Sequence, residues 1–268
     1  MKAFERGLNI LIFAFLYAPL LVMMFFSFNS ASSTSVFAGF SLKWYGEVFR
    51  NAETMTAVFN TLILAIVSSS IATLLGVMAA LGIDRMKNKT AVNTVMTVTN
   101  IPMMNPEIVT GVSLMLLFVF AGRLLGLQNS LSFWTLLIAH ITFSLPYVIL
   151  NVLPKLRQSD RNLYHAALDL GCTSRQAFFK VTLPYIRPGV AAGWLMAFTL
   201  SLDDFVISYY TNGASFQTLP LKIFAMTKKT VKPDMYALST MIFVIILVLL
   251  LLSNALQSRA QKTYAKEK

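Results

Sequence analysis

Cysteine is nearly absent from this chain, with Cys172 the only one in 268 residues, and there are two histidines. A disulfide framework and a multi-cysteine metal site both need several sulfurs at set spacings, so neither is available. No H-E-x-x-H pair offers zinc ligands on a helix face, and no G-x-x-x-x-G-K-[ST] loop offers backbone amides to a nucleoside triphosphate. No repeat of 20 to 50 residues is visible, which removes solenoids and propellers. Charged residues make up only 12% of the chain. Its excess of +11 is scattered through short segments with no basic helix or aromatic platform, a distribution that does not suit nucleic acid.

What is abundant is apolar length. Hydrophobic residues reach 56%, and the mean hydropathy is +0.67. A water-soluble domain of this size could not cover that much apolar surface. Six stretches meet the roughly 20 residues a helix needs to cross a bilayer core: Leu8 to Phe28, Ala57 to Ile83, Ala91 to Phe120, Leu131 to Leu153, Tyr185 to Tyr209 and Tyr236 to Leu256. The start of the chain has a basic end like a signal peptide, but its apolar run is too long, so an uncleaved first span is expected. The expected architecture is all-α, a polytopic membrane protein forming one transmembrane domain over residues 1–268.

An even number of spans puts both termini on one side. With cytoplasmic termini, roughly two thirds of the 22 Lys and Arg fall on the inside, among them Lys2, Arg6, Arg85, Lys87, Lys155, Arg157, Arg161, Arg175, Arg259, Lys262, Lys266 and Lys268. Lys222, Lys228, Lys229 and Lys232 dissent, in an outside loop apolar enough to dip into the interface. Small residues at every fourth position, Ala72, Gly76 and Ala80 in span two and Gly189, Gly193 and Ala197 in span five, predict close helix packing.

Between spans four and five lies a polar segment, residues 155–184, predicted to be cytoplasmic. Asp160 can cap a helix beginning at Arg161, and Gly171 can end it in a left-handed conformation. Thr173 with Gln176 three residues on forms a capping box for a second short helix that Pro184 should stop. Bent at Gly171, the pair would protrude, with Ala166 and Ala167 leaving room for a partner's surface. An amphipathic loop at the membrane interface is the competing reading.

The spacing within this segment resembles a known family. His165-Ala166-Ala167, three residues, Gly171, nine residues, Val181, one residue and Leu183-Pro184 is similar to the EAA loop of ABC-importer permeases. Two departures stand out: His165 replaces the family's Glu and removes a negative charge, and Val181 replaces Ile. The resemblance extends through "FSLKWYGEVF", "HITFSLPYV", "AAGWLMAFTLSLDDFVISYY" and "LPLKIFAM", which look like spermidine/putrescine permease subunits of the PotC type. It implies that His165, Ala166, Ala167, Gly171, Leu183 and Pro184 belong to a coupling helix seated in a cleft of an ATPase. It further implies a type I importer permease in the bacterial inner membrane, a homologous partner permease, two cytoplasmic ATPase subunits that carry the ATP-Mg, and a periplasmic or extracellular polyamine-binding protein. The chain itself would bind no cofactor and catalyse no reaction.

Ionisable groups within a bilayer are costly unless they face a cavity or a partner, so each is a candidate. Glu107 lies within span three beside Pro102 and Pro106, whose missing N–H groups free carbonyls that must face protein or water. Asp203 and Asp204 lie in span five. All three would fall roughly 24 to 27 Å from the cytoplasmic helix starts, in one layer of the outer half of the membrane. Such a layer suits a substrate with spaced ammonium groups. Successive residues point about 100° apart, so one aspartate is expected to line the path, Asp203, while Ser201 or Ser208 orients Asp204. Trp194, Phe198, Phe205 and Tyr209 form a stripe that offers cation-π faces or simply packs. His140 and Asn151 are expected to bond between helices. Two rivals remain open: an ABC permease for another small solute, and an ion-coupled secondary carrier using Asp203 or Glu107 as a proton relay.

Overall fold

A computed structural model describes residues 2–31, 36–127, 130–213, 216–228 and 233–266. Of the basic residues used to orient the chain, Lys229, Lys232 and Lys268, and the side chains of Lys2, Arg161, Arg259, Lys262 and Lys266, lie outside the described residues. The described residues are almost wholly helical, and their one β feature is an isolated antiparallel bridge between Asn29 and Phe40. They divide into two compact units, residues 1–57 with 222–250, and residues 58–221 with 251–268.

The first unit begins with α1 (Lys2–Ser27) and continues through a loop into α2 (Lys43–Arg50). The loop is organised by buried Asn29. Its Oδ1 accepts the Ala38 and Ala31 backbone N–H groups at 2.9 and 3.2 Å, its Nδ2 donates to the Val36 carbonyl at 2.7 Å, and its own carbonyl receives the Trp44 indole N–H at 2.6 Å. One amide side chain thus satisfies backbone groups within a loop whose ends are joined by the Asn29–Phe40 bridge. Also in this unit, Lys222 pairs with Glu53 at the start of α3 (Ala52–Arg85).

The second unit holds most of α3, then α4 (Lys89–Met104), α5 (Glu107–Leu124), α6 (Phe133–Gln158), α7 (Arg161–Asp169), α8 (Ser174–Ala177), a π-helical turn (Phe178–Thr182), α9 (Leu183–Asp203) and α10 (Val206–Thr211). A short α11 (Leu219–Thr227) and the long α12 (Pro233–Lys266) complete the chain. At the centre of the second unit is α6, whose apolar window is 61% buried, with α3 and α9 packed against it. The small residues permit this. Ala72, Ala80 and Ala197 are fully buried, and a Cβ on Gly76 would fall 2.5 Å from Cγ1 of Val148, so only glycine fits between α3 and α6 there. Removing side-chain bulk lets backbones approach and gain dispersion contacts where no hydrophobic force separates helix from lipid.

Four described helices, Arg6–Ser27, Ala52–Arg85, Glu107–Leu124 and Phe133–Gln158, are long and apolar enough to cross a membrane, and Pro233–Val248 is a shorter apolar helix. Two of the expected spans are not continuous. Span three divides into α4 and α5 at Asn105 and Pro106, because Pro106 cannot donate to the Pro102 carbonyl and holds the preceding residue extended, with Asn105 at ψ 142°. Span five divides into α9 and α10 at Asp204 and Phe205, where Asp204 leaves the helix at ψ 123°.

Candidate functional site

Local chemistry shapes the polar segment much as its residues dictate. The Asp160 side chain accepts the Asn162 backbone N–H at 2.9 Å and caps α7. At the other end Gly171 takes φ +87°, which places its N–H 2.9 Å from the Leu168 carbonyl and the Cys172 N–H 3.0 Å from the Ala167 carbonyl. Those two bonds are a Schellman closure, and it requires the left-handed residue. Thr173 and Gln176 then form the reciprocal capping box that starts α8.

Beyond that point the structure corrects the sequence reading. Pro184 does not stop the second helix. The chain widens into the π turn, Leu183 N–H bonds the Phe178 carbonyl five residues back, and the helix runs on into α9 with Pro184 in its first turn. The wider turn displaces the carbonyl that the proline ring would strike. Leu183 and Pro184 are half-buried, and Tyr185 donates its hydroxyl to the Gln158 carbonyl at 3.0 Å, fastening the base of α9 to the end of α6. Nor are the two alanines equivalent: Ala166 is exposed, whereas Ala167 is buried against the unit, so the outward surface is Ala166 with the exposed Leu163 and Leu170. His165 is exposed, edge-on to the Tyr164 ring at 5.8 Å, and lines a cavity of about 540 Å³ between this segment and the end of α3 at Asp84 to Lys87.

The carboxylates sit at the two helix breaks. Glu107 is the exposed first residue of α5. The breaks approach because α10 lies against α5, where a Cβ on Gly111 would stand 3.1 Å from the Tyr210 ring. The two aspartates part company. Asp203 is exposed at the end of α9. Asp204 is buried; it accepts the Ile207 and Ser208 backbone N–H groups at 3.2 and 2.7 Å, and its Oδ2 stands 3.4 Å from Nε2 of His140.

Within the aromatic stripe the break separates the members. Trp194 stacks on buried Phe198, with centroids 5.2 Å apart, and its indole N–H donates to Ser70 on α3 at 3.2 Å. Trp194 is thereby fastened to α3, with Phe198 stacked on it. Tyr209, on α10, is exposed and meets Phe205 and Tyr210. His140 does bond between helices, to Ser201 on α9 and Ser208 on α10. Asn151 does not: its amide donates to the Tyr147 carbonyl one turn back on α6. The pairing of His140 with Asp204 is the relation that sequence reasoning missed. The signal was present in Ser201 and Ser208, placed three before and four after Asp204, with one histidine in an apolar span needing partners.

Residues 72–265 match the family described as binding-protein-dependent transport system inner membrane component. The chain is 38% identical over 250 residues to the putrescine transport system permease protein PotI of Escherichia coli (strain K12), covering 93% of this chain and 89% of that protein. It is likewise 38% identical over 255 residues to the spermidine/putrescine transport system permease protein PotC of the same strain, covering 94% of this chain and 93% of the relative. In fold it resembles a chain of a bacterial ABC transporter involved in the import of the acidic polysaccharide alginate, with a TM-score of 0.73 at 16% identity over 96% of this chain and 95% of the other. A second alginate transporter structure, in complex with a pentasaccharide-bound periplasmic protein, superposes with a TM-score of 0.72 at 18% identity over 97% of this chain and 95% of that one.

Proposed function

Because the chain belongs to the binding-protein-dependent transport system inner membrane components, we propose that it is the permease subunit of an ATP-driven importer whose cargo is a polyamine. Its relatives of matching length are permeases of putrescine and spermidine/putrescine systems. The observation that carries the reading is the meeting of two helix breaks, where α10 packs against α5, one leaving Glu107 exposed and the other Asp203. A broken helix within the membrane is tolerated where it lines a water-filled cavity, and carboxylates there replace part of the hydration an ammonium group gives up. Exposed Tyr209 adds an aromatic face at the same level, while Asp204, Trp194 and Phe198 support the cavity from behind.

In this reading the chain crosses the membrane six times with both termini cytoplasmic, as one permease domain, with α9–α10 and α12 supplying the fifth and sixth crossings. It pairs with a homologous permease so that the path lies between them, and a periplasmic binding protein delivers the polyamine. Two ATPase subunits, which hold the ATP-Mg, grip residues 155–184 through Ala166, Leu163 and Leu170. Their closure pushes the coupling segment, the Tyr185 hydrogen bond transmits that push to α6 and α9, and the breaks at Glu107 and Asp203 change their access. No bond is made or broken on this chain.

Uptake of labelled putrescine and spermidine by vesicles holding the assembled importer tests the proposal. Uptake that needs both ATP and the ATPase subunits, and that Asp203→Asn reduces at least tenfold without reducing assembly, is expected. Transport by this chain alone, or an Asp203→Asn importer with full uptake, refutes it.

A further inference from the structure

Two adjacent aspartates meet opposite fates at the α9–α10 break, and His140 makes the difference. Its Nδ1 stands 2.7 Å from the Ser201 hydroxyl, and its Nε2 stands 3.1 Å from the Ser208 hydroxyl and 3.4 Å from Asp204 Oδ2. Ser201 in turn lies 3.0 Å from Ser68 on α3, and Ser68 donates to the Ala65 carbonyl at 3.4 Å. The contact between Nδ1 and Ser201 holds the ring so that Nε2 faces Asp204 and Ser208. His140, Ser68, Ser201 and Ser208 are each no more than 2% exposed, so water cannot substitute for any of them.

This chain of bonds ties the break to three other places: α3 through Ser68, α6 through His140 and α10 through Ser208. Asp204, holding two backbone N–H groups and facing the imidazole, is spent on structure. Asp203 has no hydrogen-bond partner on another residue among the described residues. Neighbouring positions on a helix face about 100° apart, so holding Asp204 inward turns Asp203 outward. We propose that His140 is a positioning residue that pins Asp204 at the break so that Asp203 faces the transport path; this rests on reading Asp203 as a path carboxylate.

The test uses the complete importer in proteoliposomes with polyamine-loaded binding protein in excess, following polyamine moved per ATP hydrolysed. His140→Leu is expected to lower that ratio about tenfold, the size of effect that losing one hydrogen bond to a charged group produces, while complex yield and hydrolysis rate stay near those of the unaltered importer. A merely structural role lowers yield and hydrolysis instead. His140→Leu combined with Asp203→Asn is expected to be no worse than Asp203→Asn alone, because one acts through the other, whereas independent defects multiply. An unchanged ratio in His140→Leu, or multiplying losses, overturns the proposal and leaves Asp203 as a path residue. Full transport in Asp203→Asn overturns both. Where His140→Leu fails to assemble, His140→Asn, which keeps a polar group toward Ser201 but is too short for Asp204, carries the same expected loss and the same refutation.

Discussion

Gly171 is where a small change should have a bounded and rankable effect. Its φ of +87° serves the two bonds that close α7, and a Cβ built there meets nothing within 4 Å. Substitution therefore adds backbone strain and no collision. For alanine that strain is about 1–2 kcal/mol, less for asparagine, which tolerates the left-handed region, and more for β-branched valine. The cost also has a ceiling. Once strain exceeds what the closure contributes, the turn opens, and two exposed backbone bonds are together worth about 1–3 kcal/mol. Gly171 is exposed and a Cβ there meets no neighbour, so opening the turn is expected to displace α7 without unfolding the bundle. Retention of the ATPase subunits on purified permease, and polyamine uptake per ATP, should fall in the order Gly, Asn, Ala, Val, with valine lower by about 5- to 100-fold and the thermal midpoint of the permease unchanged. Equal behaviour of asparagine and valine, or a midpoint that drops with uptake, would refute the argument from backbone strain.

Other outcomes follow from packing and topology. Gly76→Val forces its side chain into Val148, which overpacking makes worth about 1–3 kcal/mol of lost stability; a lowered thermal midpoint, partly restored by adding Val148→Ala, checks it. Cys172, half-exposed beside Gly171, should react with an impermeant maleimide in inside-out vesicles and not in intact cells, whereas Lys43→Cys in a Cys172→Ser background should show the reverse. Labelling of Cys172 from outside would invert the proposed topology.

Much of the 155–184 segment was legible because its determinants are local. Asp160, Gly171, Thr173 and Gln176 act over three or four residues on backbone groups that any chain must satisfy, so type and spacing suffice to place the caps. Apolar length likewise told that the chain is helical and made for lipid, since uninterrupted apolar runs of about 20 residues match a spanning helix and are about twice the length of a barrel strand. The small-residue faces at Gly76 and Gly189 were readable for the same reason: close approach has a compositional requirement.

Helical period alone could set Asp203 toward the path and Asp204 toward Ser201 or Ser208, since successive residues diverge by about 100°. Only the tertiary structure supplied the imidazole beside Asp204: His140 lies more than sixty positions away on another helix, brought there by α6 packing against α9. Whether a proline ends a helix or is absorbed was also beyond the sequence, because Pro106 divides α4 from α5 while Pro184 rides into α9 behind a π turn. Chain chemistry specifies which groups must be satisfied; only the fold specifies by whom.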